Sequence, residues 1–302
     1  MRCASSCWSK VISSEGCDEP GRHVVWKLLL GVVDADAERY IALVERGAFR
    51  SDAGFRSRVS DAAIARVLNA LCHHIDGGQH HIDGGQACAE ELRDAASTFG
   101  ANRCVLGATL LYAMPSELEA FWSLEAVVCR HCPQYFTPDL HGARLGAALA
   151  ERCLGIVDAQ LHRRIAEASD AARAGADQSR GRKASAFSEF CAFPLLASFF
   201  ACAPPLAEVV RIWDALFAGG AHLNVLICVA VAVSLRDELL AATSSELLLG
   251  LQPRRLPKLD ARKLISIALE LAPVIPAPLY DLIVAHPFRR IETAQVDAIQ
   301  IR

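Results

Sequence analysis

Along this chain, apolar positions return every three or four residues rather than every second one. In MPSELEAFWSLEAVVCRHCP (114–133), Leu118, Phe121 and Trp122 are followed one turn on by Leu124, Val127 and Val128, the stripe of an amphipathic helix. Ser116 and Glu119 have the spacing of a capping box at its start, and Pro133 limits its far end. In PPLAEVVRIWDALFAGG (204–220), Val209, Ile212, Trp213, Leu216 and Phe217 form one stripe, and Gly219 and Gly220 supply a left-handed stop. Trp213 is thereby expected in the core and Asp214 toward the helix edge. HGARLGAALAERCLGIVDAQLHRRI (141–165) divides into two helices, with Asp158 capping the second.

From residue 22 to about 290 there is no sustained period-two alternation, so the pattern predicts an all-α chain. A single composition regime implies one domain over residues 20–290, with an irregular segment at 1–19 and a tail at 291–302. Connections between helices are short, and two stretches break that habit. They are the repeat at 73–86 and the small, charged EASDAARAGADQSRGRKAS at 167–185, both expected as loop expansions.

Composition narrows the function classes. Hydrophobic residues make up 53% and aromatics 7% of the 302 residues, with an Ala- and Leu-rich balance that suits helix. The net charge of -3 gives no basic footprint for nucleic acid. The most apolar run, LNVLICVAVAVSL (223–235), is shorter than the roughly 20 residues that span a bilayer, and reads as a buried helix rather than a transmembrane segment. The first twenty residues lack the apolar core of a signal peptide. The twelve cysteines are scattered through apolar helical stretches and read as reduced core thiols of an intracellular protein.

HHIDGGQHHIDGGQ (73–86) writes one seven-residue unit twice. His73, His74, His80, His81, Asp76 and Asp83 are permissible zinc ligands by type, yet two Gly-Gly pairs loosen the backbone between them. Lengthening an exposed loop costs only about 0.6 kcal/mol per doubling. The repeat therefore reads as an expanded loop and not as a metal site. The lone Cys129-x-x-Cys132 pair lacks the second pair that a structural zinc site requires. No nucleotide-binding glycine motif and no nucleophile elbow is present.

Several stretches, in this order, resemble the TBC-domain family of all-helical GTPase-activating proteins for Rab-type small GTPases. They are GRHVVWKLLLGV (21–32), VSDAAIARVLNAL (59–71), LLYAMPSELEAFWSL (110–124), CAFPLLASFFACAPPLAEVVRIWDALFAGGAHLNVL (191–226) and LPKLDARKLISIAL (256–269). The resemblance covers roughly residues 20–290. AFP, CAPPL and GGAHLNVL look most like the mitotic-exit and septation-checkpoint subgroup. It implies a multi-helix domain with helices in two packed subdomains and a Rab-like or septation-type small GTPase as partner. GTP and Mg²⁺ would be carried by that partner, with no cofactor of this chain's own. A co-activating partner protein and a cytoplasmic location, with recruitment to spindle poles or endomembranes, are also implied.

The family offers an arginine in trans to the transition state of GTP hydrolysis, where such a group is worth about 10³ to 10⁵ in rate, and a glutamine that orients the water. The first motif falls in ERGAFRSDAGFRSRV (45–59), where Phe49-Arg50 fits its end and makes Arg50 the candidate finger. Gly47 stands where the family has aspartate, and Arg56 and Arg58 are alternatives. The second falls on FGANRC (99–104): Phe99 replaces the tyrosine and Ala101 the glutamine, with Asn102, a shorter amide, next to it. The scaffold pieces keep the pattern while both catalytic segments depart from it. Two readings follow: a GTPase-activating protein, or a catalytically defective TBC scaffold that binds a GTPase or checkpoint partner without stimulating hydrolysis.

Overall fold

A computed structural model describes residues 16–46, 60–76, 98–173 and 185–297; the description below concerns these residues. They form helices and turns without a strand, as the period-3.6 pattern predicts. The chain divides into two compact units, Cys17–Gly142 and a second made of Met1–Gly16 with Ala143–Arg302.

The N-terminal unit contains α1 (Arg22–Leu30), α2 (Ala37–Glu45), α3 (Asp61–Asp76), α4 (Thr98–Ala113) and α5 (Glu117–Ala126). Gly31 ends α1 at φ 68°, with the Gly31 and Val32 amides donating to Leu28 O and Lys27 O at 3.2 and 2.8 Å. This left-handed stop turns the chain and buries Val32. Asp36 caps α2 through the Arg39 amide at 2.9 Å, and Ser60 caps α3 through the Ala63 amide at 3.2 Å. Along α3, Ile64, Val67, Leu68, Leu71, His74 and Ile75 are buried, one face of a helix.

At α5 the expected capping box closes on one side only. Ser116 accepts the Glu119 amide at 3.2 Å, while the Glu119 carboxylate is paired with Lys27 of α1 and accepts the Ser116 hydroxyl at 3.5 Å rather than its backbone amide. A five-residue π turn, Val127–His131, follows α5, and a 3-10 turn begins at Pro133. The π turn leads to Cys132, whose thiol donates to Val127 O at 3.2 Å. Cys132 is wholly buried.

The C-terminal unit continues with α6 (His141–Val157), α7 (Ala159–Arg173), a π turn into α8 (Phe193–Ala197), α9 (Leu206–Gly219), α10 (Leu223–Ser234), α11 (Arg236–Ala241), α12 (Ser244–Gly250), α13 (Ala261–Leu271), α14 (Ala277–Ala285) and α15 (Thr293–Asp297). Asp158 caps α7 as expected, accepting the Leu161 amide at 2.9 Å. From Leu223 to Ala232 every residue of α10 is buried, and no described helix is long and apolar enough to cross a membrane. Trp213 lies in the core and donates to Phe199 O at 2.7 Å. Asp214 is the correction here: it is wholly buried rather than at the helix edge. A side chain one step from Trp213 is still carried inward where the helix is covered on more than one face. A complete capping box occurs at Thr243 and Glu246, a spacing the reading above passed over.

Both expected expansions begin later than their sequences suggest. His73–Asp76 form the last turn of α3, because His74 and Ile75 are buried, 3% exposed each. Residues 167–173 likewise finish α7, where Ala168 and Ser169 are buried. The remainder of each stretch lies outside the described residues. The expected tail also contributes to packing, since Ile291 and Val296 are buried.

Two glycines test the packing in opposite directions. A Cβ on Gly142 would meet the Gln134 carbonyl carbon and Tyr135 Cδ2 at 2.7 Å. Gly142→Ala is therefore expected to destabilise by about 1–3 kcal/mol. At Gly107, inside α4, a Cβ would meet only Leu68 Cδ2 at 3.6 Å and Leu124 Cδ2 at 3.9 Å. Gly107→Ala should stabilise by about 0.5–1 kcal/mol, and thermal unfolding of the two variants checks the contrast. Burial also pushes thiols up: Cys153 to about 12, with Cys132 and Cys228 raised as well. Alkylation at pH 8 followed by peptide mass spectrometry should leave these three unmodified until denaturant is added, while the more accessible Cys17 and Cys129 react.

Candidate functional site

The helices of the N-terminal unit fix where each chemistry-bearing segment is attached. Arg66 of α3 meets Glu117 of α5, and eight residues further along both helices His74 Nε2 lies 3.9 Å from Glu125 Oε1. The helices α3 and α5 therefore run parallel. Trp122 Nε1 donates to Asp36 O at 3.2 Å, while Tyr40 OH donates to Glu117 Oε2 at 3.3 Å. Helix α2 thus runs antiparallel to α5. Gly107 faces Leu124, and only Met114–Ser116 separate α4 from α5, so α4 is antiparallel to it too.

The segment carrying Arg50 leaves from the C-terminus of α2 and rejoins at the N-terminus of α3, both at the Glu117 end of this layer. Ala101 and Asn102 belong to the first turns of α4, at the His74 and Glu125 end. The separation is about 20 Å, from the 1.5 Å rise per residue of α3. Residues 47–59 span up to about 45 Å when extended, so the connection is long enough to return along the layer. Arg50, Arg56 and Arg58 themselves lie outside the described residues, as do the side chains of Ala101 and Asn102.

Two polar clusters mark the ends of the layer. At one end Glu117 accepts from three donors: Arg66 Nε at 2.9 Å, Arg66 Nη2, and the Tyr40 hydroxyl. The hydrogen bonds from Arg66 hold the Glu117 carboxyl below its usual range. Burial first, and then the Glu117 charge and hydrogen bond, push the Tyr40 phenol to about 12. At physiological pH this is a carboxylate, a guanidinium and a neutral phenol.

At the other end Glu125 is 3% exposed. It receives Arg130 Nη2 at 3.2 Å and faces the His74 ring. Arg130 Nη1 and His131 Nε2 contact Gly31 O and Leu30 O at 3.4 and 3.3 Å, tying α1 to the π turn. Burial lowers the His131 pKa.

The sequence reading missed Tyr40, Arg66, Glu117 and Glu125, although the last three fall within or beside pieces that carried the resemblance. Tyr40 and Arg66 lie 77 and 51 residues from Glu117, so no local spacing announces the cluster. The only sequence signal was Tyr40 itself, a polar-tipped side chain on the stripe it shares with the buried Leu43.

His74, of the repeat, packs edge-on against Phe121 and Trp122 with ring centroids 6.0 and 5.8 Å apart. Among the described residues no group of three or more His, Cys, Asp or Glu is placed to hold a metal ion. His80, His81 and Asp83 lie outside them. The arrangement attaches residues 47–59 to the ends of α2 and α3 and places residues 99–104 in the first turns of α4.

Comparison with known proteins agrees with this architecture. The Rab-GTPase-TBC domain signature matches residues 100–240. The chain is 30% identical to Cell division control protein 16 of Schizosaccharomyces pombe, over 92% of this chain and 84% of that protein. It is 29% identical to the mitotic check point protein BUB2 of Saccharomyces cerevisiae, over 91% of this chain and 87% of the relative. A putative mitotic check point protein BUB2 of Dictyostelium discoideum is also 29% identical, over 91% of this chain and 68% of its own length. In fold it is similar to the Ypt/Rab-GAP domain of Gyp1p, with a TM-score of 0.58 at 14% identity, covering 89% of this chain and 91% of that one. The Chlamydomonas flagellar RabGAP TBC domain gives a TM-score of 0.55 at 18% identity, covering 94% and 84%. With helices, segment order and near full-length similarity in agreement, this chain belongs to the Rab-GTPase-TBC domain family.

Proposed function

We propose that this protein is a GTPase-activating protein that acts on a Rab-like or septation-type small GTPase in the control of mitotic exit or septation. The observation that carries the reading is the 30% identity to Cell division control protein 16 across nearly the whole of both chains. A similarity confined to scattered helices would support the fold alone; this one runs through the segments that flank the expected chemistry.

In the proposed mechanism the GTPase brings GTP and Mg²⁺, and this chain contributes one positive charge. Arg50 enters the partner's nucleotide site and lies against the oxygens of the phosphoryl group in transfer. Charge builds there as the bond to the leaving oxygen lengthens, and a guanidinium fixed in a water-poor site stabilises it without reorganising at the moment of reaction. Arg56 and Arg58 are the alternatives on the same segment.

The glutamine position carries Ala101, whose methyl group cannot orient water. Asn102 bears an amide on a shorter arm, and a misplacement of about 1 Å can cost 10²-fold. The water is therefore oriented by a residue of the GTPase. A co-activating partner protein, and recruitment through it to spindle poles or endomembranes, belong to the same proposal.

The test is single-turnover GTP hydrolysis by a panel of Rab-like and septation-type GTPases, with this protein and with Arg50→Ala. One GTPase should be accelerated at least about tenfold, and Arg50→Ala should remove the acceleration while binding persists, because a finger contributes about 10³ or more to the rate. Retained acceleration in Arg50→Ala, lost instead in Arg56→Ala or Arg58→Ala, moves the role along the segment. Binding without acceleration of any GTPase assigns the fold to partner binding alone.

A further inference from the structure

The Glu117 carboxylate stands where three helices meet. It occupies the first turn of α5, receives two bonds from Arg66 of α3 and one from Tyr40 of α2. Helices α2 and α3 are the two between which residues 47–59 are suspended. One side chain thus links the two helices that flank the arginine-bearing segment, each at a point five residues inside its end, to the same turn of a third helix.

The surroundings make this link directional. Tyr40 is 8% exposed and its ring lies 5.1 Å from that of the wholly buried Phe121, so its hydroxyl has little freedom to move away. The Arg66 fork meets both carboxylate oxygens, a two-point contact that fixes orientation as well as distance. Exposed ion pairs add little to stability, commonly below about 1 kcal/mol, and Arg66 is 44% exposed with Glu117 at 33%. The pair's contribution is therefore to the relative placement of α2, α3 and α5 rather than to overall stability.

We propose that Glu117 is a positioning residue for GTPase activation: through Tyr40 and Arg66 it sets the relative placement of α2 and α3, the helices on either side of the transition-state arginine, whichever arginine of residues 47–59 that is. The proposal rests on the activating function proposed above. Glu117 touches neither nucleotide nor GTPase in this scheme. Loosening it changes how often the arginine reaches its place in the bound complex and leaves docking unchanged. Since about 1 Å of misplacement can cost 10²-fold, a small change at the helix ends is enough to read as rate.

The experiment is single-turnover hydrolysis as a function of the concentration of this protein, giving a maximal rate and a half-saturating concentration for wild type and Glu117→Gln. The same measurement is made in a Tyr40→Phe, Arg66→Met background. Affinity for the GTPase bearing a non-hydrolysable GTP analogue is measured in parallel, and thermal unfolding confirms that each variant is folded. Glu117→Gln should lower the maximal rate about three- to fivefold, the range a contact worth about 1 kcal/mol can shift, with half-saturation and affinity within about twofold. In the double-variant background the further loss on adding Glu117→Gln should vanish, because the partners through which it acts are gone.

An unchanged maximal rate in Glu117→Gln, with wild type active, overturns the proposal and leaves an ordinary surface ion pair. A loss confined to half-saturation overturns it in favour of a docking role. A loss that persists in the double-variant background overturns it in favour of direct action by Glu117. If Glu117→Gln is unfolded, Tyr40→Phe, which removes one hydroxyl, takes its place, and an unaltered maximal rate there also overturns the proposal. Failure of wild type to accelerate any GTPase overturns the activating function itself, an outcome distinct from all of these.

Discussion

Burial of the inner face of α5 is the constraint on which the N-terminal unit depends. Phe121 is wholly buried. The Tyr40 ring of α2 lies against it at 5.1 Å and the His74 ring of α3 at 6.0 Å. One turn on, Leu124 faces Gly107 of α4. Removing an aromatic side chain from such a place costs about 3–5 kcal/mol, far more than the polar contacts at the ends of the same helix contribute. The apolar face of α5 holds the helices together, and the carboxylates at its two ends, Glu117 and Glu125, make polar contacts with Arg66, Tyr40, Arg130 and His74.

The stretches that carry the family resemblance include the helix face that buries Phe121 and Leu124. A helix face that must bury Phe121, Leu124 and Val128 accepts few alternatives, since interiors are close-packed.

Much of the fold was legible in the sequence because it depends on short-range periodicity. The stripes of α5 and α9, the cap at Asp158 and the buried run at 223–232 all follow from spacing within one or two turns. What the sequence concealed depends on long-range partners. Helix α3 continues through His73–Asp76, into a stretch that reads as loop, because the rings of Phe121 and Trp122 receive His74. The Ser116 and Glu119 box stays half closed because Lys27, 92 residues away, takes the Glu119 carboxylate. Asp214 is buried although it lies beside, and not on, the apolar stripe that runs through Val209, Ile212, Trp213 and Leu216. The candidate site was legible only through family resemblance, which named Arg50, Ala101 and Asn102. The Tyr40, Arg66 and Glu117 cluster that frames the segment carrying Arg50 joins residues up to 77 positions apart and has no local signature.

The most direct test of an activating function is affinity for the transition state itself. An activator that contributes charge during phosphoryl transfer binds its GTPase more tightly when GDP and aluminium fluoride fill the nucleotide site than when a ground-state GTP analogue does. Equilibrium binding to the responsive GTPase in those two states should differ by at least about tenfold in favour of the aluminium fluoride complex. Equal affinity in both states would contradict an activating role and leave a protein that recognises the GTPase without acting on its nucleotide.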